Sequence, residues 1–309
     1  MPKVSEHPEF LRPYLQHGVE LSYSGSADAV GDCPFCSKEQ KFHVSQSTGM
    51  YSCKVCGSGV DDGKGGGNTY SFLRNLHTLS IENTPLDELE MVAEERKLKV
   101  ETLIEEGLVK SVIDGEWLLP TYEFPTDTKC QINNLYRWAM MPDGKGGFKR
   151  RLQCTSTFKN QMFGFQFWDK KKKKAAITEG RWDGMGLKEV FQQFGFNNIK
   201  LFRTDDPAKC LYADFNIASV PGADQFADGW EEHFRGLDVT LFFDNDHPRV
   251  NKKTKKLMPP VGFEGMKRAA KKLKGVAKSI HALVWGEQGF DEAYESGTDI
   301  RDMLAMEIE

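Results

Sequence analysis

The sequence predicts an α/β fold: an N-terminal cysteine ribbon, a small mixed basic sheet, and an open parallel sheet covered by helices. Three observations carry this prediction. Two Cys-x-x-Cys pairs, Cys33-Pro-Phe-Cys36 and Cys53-Lys-Val-Cys56, stand sixteen residues apart. Two apolar runs end in acids, Ala175-Ala-Ile-Thr-Glu179 and Val239-Thr-Leu-Phe-Phe-Asp-Asn-Asp246, and have the composition of doubly buried strands. Strand and helix patterns alternate through residues 175 to 304, as in an α/β sheet.

At 309 residues the chain has room for two or three modest domains, each with its own core. No apolar run approaches a membrane span, and the opening Met-Pro-Lys-Val-Ser-Glu-His lacks a secretory core, so a cytoplasmic protein without membrane contact is expected. The net charge of −4 hides an uneven distribution. Arg137 to Lys174 holds eleven Lys/Arg against two acids, and Arg249 to Lys278 holds eleven against one. Such basic stretches are the electrostatic footprint of a polyanion partner. The run Lys170 to Lys174 can equally be a solvated connection into a strand.

Residues 1 to about 30 lack sustained periodicity and read as a lead-in with one short helix near Phe10 to His17. The two cysteine knuckles that follow can bring four thiolates round one tetrahedral Zn²⁺. Between them, Lys41 to Gln46 and Met50 to Ser52 flank Ser47-Thr-Gly49, a hairpin with a glycine turn. That is a zinc ribbon ligated by Cys33, Cys36, Cys53 and Cys56. His43 sits on the hairpin, outside a shell already complete. Cys130, Cys154 and Cys210 have no partner at ligand spacing and read as ordinary thiols. Gly57 to Gly67 is too glycine-rich to pack and lacks the preceding strand and Gly-Lys-Ser/Thr ending of a P-loop.

Asn68 is placed to N-cap the next helix. Pro85 to Leu108 reads as two packing helices, with Leu86, Leu89, Val92 and Ala93, then Val100, Leu103, Ile104 and Leu108, at helical spacing. Their many acids argue against a groove-facing surface. Trp117 to Phe124, Gln131 to Met140 and Phe148 to Leu152 then read as strands, the last two joined by Asp143-Gly-Lys-Gly-Gly147. Alternation puts Lys149 and Arg151 on one face and Arg150 on the other. Beyond Asp246, residues to Val261 read as a cationic loop without regular structure. Glu264 to Lys274 reads as an amphipathic helix with Met266, Ala269, Ala270 and Leu273 inward, and Ser279 to Trp285 as a strand.

Glu179 falls where a strand stops, the usual ligand position of open α/β sheets. Side chains two apart on a strand point the same way, so Asp244 and Asp246 are expected to face one point beside Glu179. Three such carboxylates repel one another unless a cation sits among them, and Mg²⁺ or Mn²⁺ suits oxygen ligands.

Strand-Glu-Gly-x-x-Asp, then strand-Asp-x-Asp, then Gly297-Thr-Asp-Ile-Arg-Asp-Met-Leu304 resembles the Toprim domain in the order and chemistry of its parts. With a ribbon and basic sheet ahead of it, the order from Cys33 to Leu304 resembles a Toprim-type DNA primase, especially the primase half of phage primase–helicases. The resemblance implies a zinc ribbon (1–75), a helical linker (76–110), the basic N-terminal subdomain of a polymerase core (111–170), and a Rossmann-like Toprim domain (171–309). It implies Mg²⁺ or Mn²⁺ on Glu179, Asp244 and Asp246, and short RNA primers made on single-stranded DNA from ribonucleoside triphosphates. Nucleotides and template would fall to Arg137, Lys149, Arg151 and Lys159, joined by Arg181. On the ribbon, Phe42 or Tyr51 would stack on bases, with polar help from His43 and Gln46.

Three departures stand out. The family usually passes from Asp-x-Asp through a small pair straight into a helix, whereas here His247 to Phe263 intervene. Thr298 stands where members often have Lys before Asp299, which weakens a role for Asp299 or Asp302. No Walker motif occurs, so a replicative helicase is expected in trans. A RecR-like DNA-binding scaffold and a Toprim nuclease are the alternatives: each shares the acids, but the scaffold keeps its zinc module beside the Toprim.

Overall fold

The computed structural model describes residues 4–23, 25, 27–56, 66–125, 130–142, 147–194, 215–250, 253–283, 299 and 301–302. Most of the Gly57 to Gly67 run, the turn at 143–146, Cys210, the end of the Ser279 to Trp285 strand, and most of Gly297 to Leu304 lie outside them. The chain forms two compact units. Met1–Val92, Leu103–Glu123 and Gln131–Asn160 make the first; Ala93–Thr102, Phe124–Cys130 and Gln161–Glu309 make the second.

The first unit opens with α1 (Arg12–Gln16), the short helix expected there. The ribbon is an antiparallel sheet of β1 (Asp28–Gly31), β2 (Phe42–Ser45), β3 (Tyr51–Cys53) and β4 (Gly66–Gly67), paired in chain order. β1 lies in the stretch read as lead-in, and β4 at the end of the glycine run. Gly49, at φ 66°, closes the β2–β3 hairpin, and its carbonyl accepts from the Tyr14 hydroxyl at 2.5 Å. α2 (Thr69–Asn83) starts at the expected cap, where the Ser71 N–H donates to Asn68 Oδ1 at 3.0 Å. α3 (Leu86–Arg96) and α4 (Val100–Glu105), whose residues Ala93–Thr102 are counted with the second unit, are the two helices expected between Pro85 and Leu108.

A second sheet completes this unit, with β5 (Val109–Lys110), β6 (Trp117–Tyr122), β7 (Ile132–Pro142) and β8 (Phe148–Gln153) in sequence order. Instead of the mixed sheet expected, every pairing is antiparallel, because consecutive strands join through connections too short for a crossover. Phe72, Leu73 and Leu76 of α2 share one core with Phe42, Val44 and Tyr51 of the ribbon and Leu118 and Leu135 of the sheet. One helix face thus glues ribbon to sheet.

The second unit is built on a parallel sheet of β9 (Lys174–Thr178), β10 (Phe215–Ser219), β11 (Asp238–Phe242) and β14 (Ser279–Ala282), in spatial order β10-β9-β11-β14. All three pairings are parallel, as the apolar runs predict. β10 was not legible in advance. α5 (Arg181–Phe194) follows β9 after only Glu179 and Gly180. Its close seat on β10 requires Gly184: a Cβ there would meet Ser219 Oγ at 2.1 Å. α6 (Val261–Leu273) buries Met266, Ala269 and Leu273 of the inward face expected of it, with Ala270 half-buried, and starts three residues before Glu264. Between β11 and α6, the stretch read as irregular contains a hairpin, β12 (Arg249–Val250) against β13 (Leu257–Met258).

Candidate functional site

Two groups of side chains carry metal-type chemistry, one in each unit. In the ribbon, the turn that follows β1 and the end of β3 with the turn after it present Cys33, Cys36, Cys53 and Cys56 with all four sulfurs within 4.8 Å of one another. Cys33 and Cys56 lie 3.7 Å apart, as do Cys36 and Cys53. The N–H groups of Val55 and Cys56 each approach Cys53 Sγ at 3.5 Å. Burial raises the Cys53 thiol, but these backbone donors and the neighbouring sulfurs outweigh it and bring it down to about 7. Four thiols at this spacing, one eased toward thiolate, fit a tetrahedral Zn²⁺.

The second group stands at the C-terminal ends of the adjacent parallel strands β9 and β11. Glu179 follows β9 directly and its N–H donates to the Phe242 carbonyl. Asp244 follows β11 by two residues and its N–H donates to Glu179 Oε2 at 3.3 Å. The chain has left the strand by then, so the alternation expected to aim Asp244 and Asp246 together does not operate. Asp246 turns instead to the first turn of α6 and accepts from the Gly262 N–H at 2.8 Å. A helix N-terminus favours such an anion. Gly262 is required there: a Cβ would meet the Asp244 carbonyl at 2.5 Å and Glu179 Oε2 at 2.7 Å.

Burial raises Glu179 to about 7, with Asp246 and Asp183 adding repulsion. Asp244 is raised to about 9, by burial and then by Asp183, Glu179, Asp299 and Asp246. Five carboxylates therefore share one region. Arg301 divides them: its guanidinium donates to Asp183 at 3.0 Å and to Asp299, and also reaches the Arg96 carbonyl. Among the described residues no cation pairs with Glu179, Asp244 or Asp246. Their oxygens are not gathered as tightly as the four sulfurs; the cysteines are the only such group among the described residues. Carboxylate oxygens are the hard donors that Mg²⁺ and Mn²⁺ take as ligands.

No family model matches this chain, and no curated protein matches it. Solved structures similar to it include the zinc-binding and RNA polymerase domains of the Aquifex aeolicus primase, at 12% identity and a TM-score of 0.44, covering 98% of this chain and 81% of that one. The primase fragment of the bacteriophage T7 primase-helicase protein is similar at 16% identity and a TM-score of 0.40, covering 94% and 100%. The RNA polymerase domain of the Mycobacterium tuberculosis primase DnaG is similar at 10% identity and a TM-score of 0.47, covering 76% and 79%.

The cations expected to hold nucleotide and template differ in circumstance. Lys149, Arg151 and Lys159 are exposed on the first unit. Arg150, on the opposite face of β8, lies 4.9 Å over the Trp138 ring. Arg137 pairs with Asp114 and is largely covered. Arg181 is only 3% exposed, and burial lowers its guanidinium to about 9. Its Nη1 lies 3.2 Å from where a Cβ on Gly164 would stand. Lys172 donates to the Phe215 carbonyl at 2.9 Å and Lys174 lies over the Phe215 ring, so part of the lysine run serves as structure.

Phe42 and Tyr51 do not face solvent: they are 0% and 2% exposed within the aromatic core around Tyr14 and Phe72. That overturns them as base-stacking groups. The alternation of β2, with Phe42 and Val44 inward and His43 and Ser45 outward, was the signal that could have said so. Asp183, which closes the Glu-Gly-x-x-Asp pattern, was not named as a member of the acid cluster, and Arg301 was missed because its meeting with Asp183 spans a long sequence separation.

Proposed function

We propose that this chain is a DNA primase, a nucleotidyltransferase that makes short RNA primers on single-stranded DNA from ribonucleoside triphosphates. The observation that carries the reading is the set Glu179, Asp244 and Asp246 at the ends of neighbouring parallel strands, with no cation paired to them among the described residues. A thiolate ribbon and an exposed cationic strand in the same chain support it. In this reading residues 1–75 are the ribbon, 76–110 a helical linker, 111–170 the basic subdomain and 171–309 a Toprim domain, with a replicative helicase acting in trans.

Glu179, Asp244 and Asp246 would hold one or two Mg²⁺ or Mn²⁺ ions, which supply acidification of a 3′-hydroxyl and neutralisation of triphosphate charge. The backbone donors of Asp244 and Gly262 fix how Glu179 and Asp246 present their oxygens. Arg301 keeps Asp183 and Asp299 compensated, so the cation-seeking charge is confined to three residues. Lys149, Arg151 and Lys159 neutralise phosphates of the bound strand or nucleotide, with Phe148, 68% exposed, as the aromatic beside them. Arg137 and Arg181, both covered, act by bracing: Arg137 through Asp114, Arg181 within the turn that carries Glu179. Phosphoryl transfer of this kind rests on positioning and electrostatics, which explains why no nucleophilic side chain is needed.

The test is primer synthesis on mixed-sequence single-stranded DNA with labelled ribonucleotides and Mg²⁺ or Mn²⁺. The natural chain should give short, template-dependent RNA and Glu179→Gln none. DNA shortening without nucleotides would replace the reading with a nuclease, and DNA binding without any product would replace it with a RecR-like scaffold.

A further inference from the structure

The hairpin β12–β13 belongs to neither metal centre, yet both its ends are anchored at the carboxylates. Asp246 precedes it and Gly262 follows it, and the two are joined by the 2.8 Å hydrogen bond that seats α6. Between His247 and Phe263 the chain carries Arg249, Lys252, Lys253, Lys255 and Lys256 and no acid. All described residues from Lys253 to Pro259 are exposed. Val250 and Leu257 are cross-strand partners and so share one face, where they are 58% and 71% exposed. A two-stranded hairpin with an uncovered apolar face is marginal in water by itself. Its charge calls for a polyanion, and aliphatic side chains flanked by cations can lie against bases or wedge between them.

We infer that this hairpin is a nucleic-acid clasp: Lys253, Lys255 and Lys256 take the phosphates of a single strand while Val250 and Leu257 lie against its bases. The strand is thereby delivered to the carboxylates at the hairpin's root. The inference extends the proposed function but is tested by binding, which needs no primer synthesis.

The experiment measures fluorescence anisotropy of a labelled single-stranded DNA, and separately an RNA of the same sequence, with the full chain over a salt series. Lys253→Ala, Lys255→Ala and Lys256→Ala together should make the log-affinity against log-salt slope shallower by about 2, and weaken binding about a hundredfold at 0.1 M salt. Val250→Ser with Leu257→Ser should weaken binding without altering the slope. Replacing the three lysines by arginine should retain both. A larger loss with DNA would assign the strand as template, and with RNA as primer. Unchanged slope and affinity in the alanine triple, or an equal loss in the charge-retaining arginine triple, would overturn the clasp. A chain that makes no primers yet shows the slope change loses the primase reading and keeps the clasp; the converse result does the opposite.

Discussion

The ribbon and the carboxylate cluster both bring together residues of metal-ligand type, and they do so in opposite ways. The ribbon's sulfurs are gathered within 4.8 Å by two knuckles, and two of its cysteines are buried in a core that ribbon and sheet share. The carboxylates hang on the loops after two parallel strands, held by backbone N–H groups rather than by one another. A closed shell of thiolates serves folding, whereas spread carboxylates with spare oxygens keep room for a substrate. Removing a ligand should therefore cost stability in one region and activity in the other.

The sharpest way to break this contrast is Cys53→Ser or removal of zinc with a chelator. The first unit should lose several kcal/mol and melt early, because structural zinc binding is folding free energy; an unchanged melting temperature would show that the ribbon stands without metal. Glu179→Gln should lower primer synthesis by about a hundredfold or more. Its metal-free melting temperature should hold or rise, since a repelling charge is removed.

Gly262→Ala should cost about 1–3 kcal/mol by overpacking against Asp244 and Glu179, read as a lowered urea midpoint together with reduced synthesis. Loss of synthesis without loss of stability would say the carboxylates tolerate less movement than the fold does.

A pH series separates the units further. Burial and the Arg137 guanidinium hold the His17 imidazole down at about 3 against its ordinary 6.5. Unfolded His17 takes its proton below about 6.5, while folded His17 stays neutral until far lower. Its contribution is thus intact above pH 6.5 and lost progressively as pH falls toward 3, and His17→Gln should flatten that slope in urea melts. The smallest effect is Asn68→Ala, which removes the α2 cap and should cost about 1 kcal/mol.

Much of this contrast was legible in the residues. Cysteine spacing announces the ribbon because tetrahedral ligation fixes it, and strand-then-acid announces Glu179 and Asp244 because doubly buried strands keep charged residues out of their interior. β1 was hidden because its four residues, Asp28–Gly31, are too few to show a period. β10 was hidden because Asn216 and Ser219 interrupt its apolar run, each answered by a partner, Asp169 and Thr178, that only the fold brings near. The β12–β13 hairpin looked irregular because its paired strands are two residues each, and Val250, Leu257 and Met258 are exposed. Arg301's division of the acids joins residues over a hundred positions apart, which no local pattern records.

The measurement that tests the central claim most directly is a Mn²⁺ titration of the zinc-loaded chain followed by electron paramagnetic resonance, alongside Glu179→Gln and Asp244→Asn. One or two bound Mn²⁺ ions in the natural chain, lost in both variants while zinc content stays unchanged, are predicted. Manganese binding that survives both substitutions, or none in the natural chain, would contradict a metal site at the ends of β9 and β11.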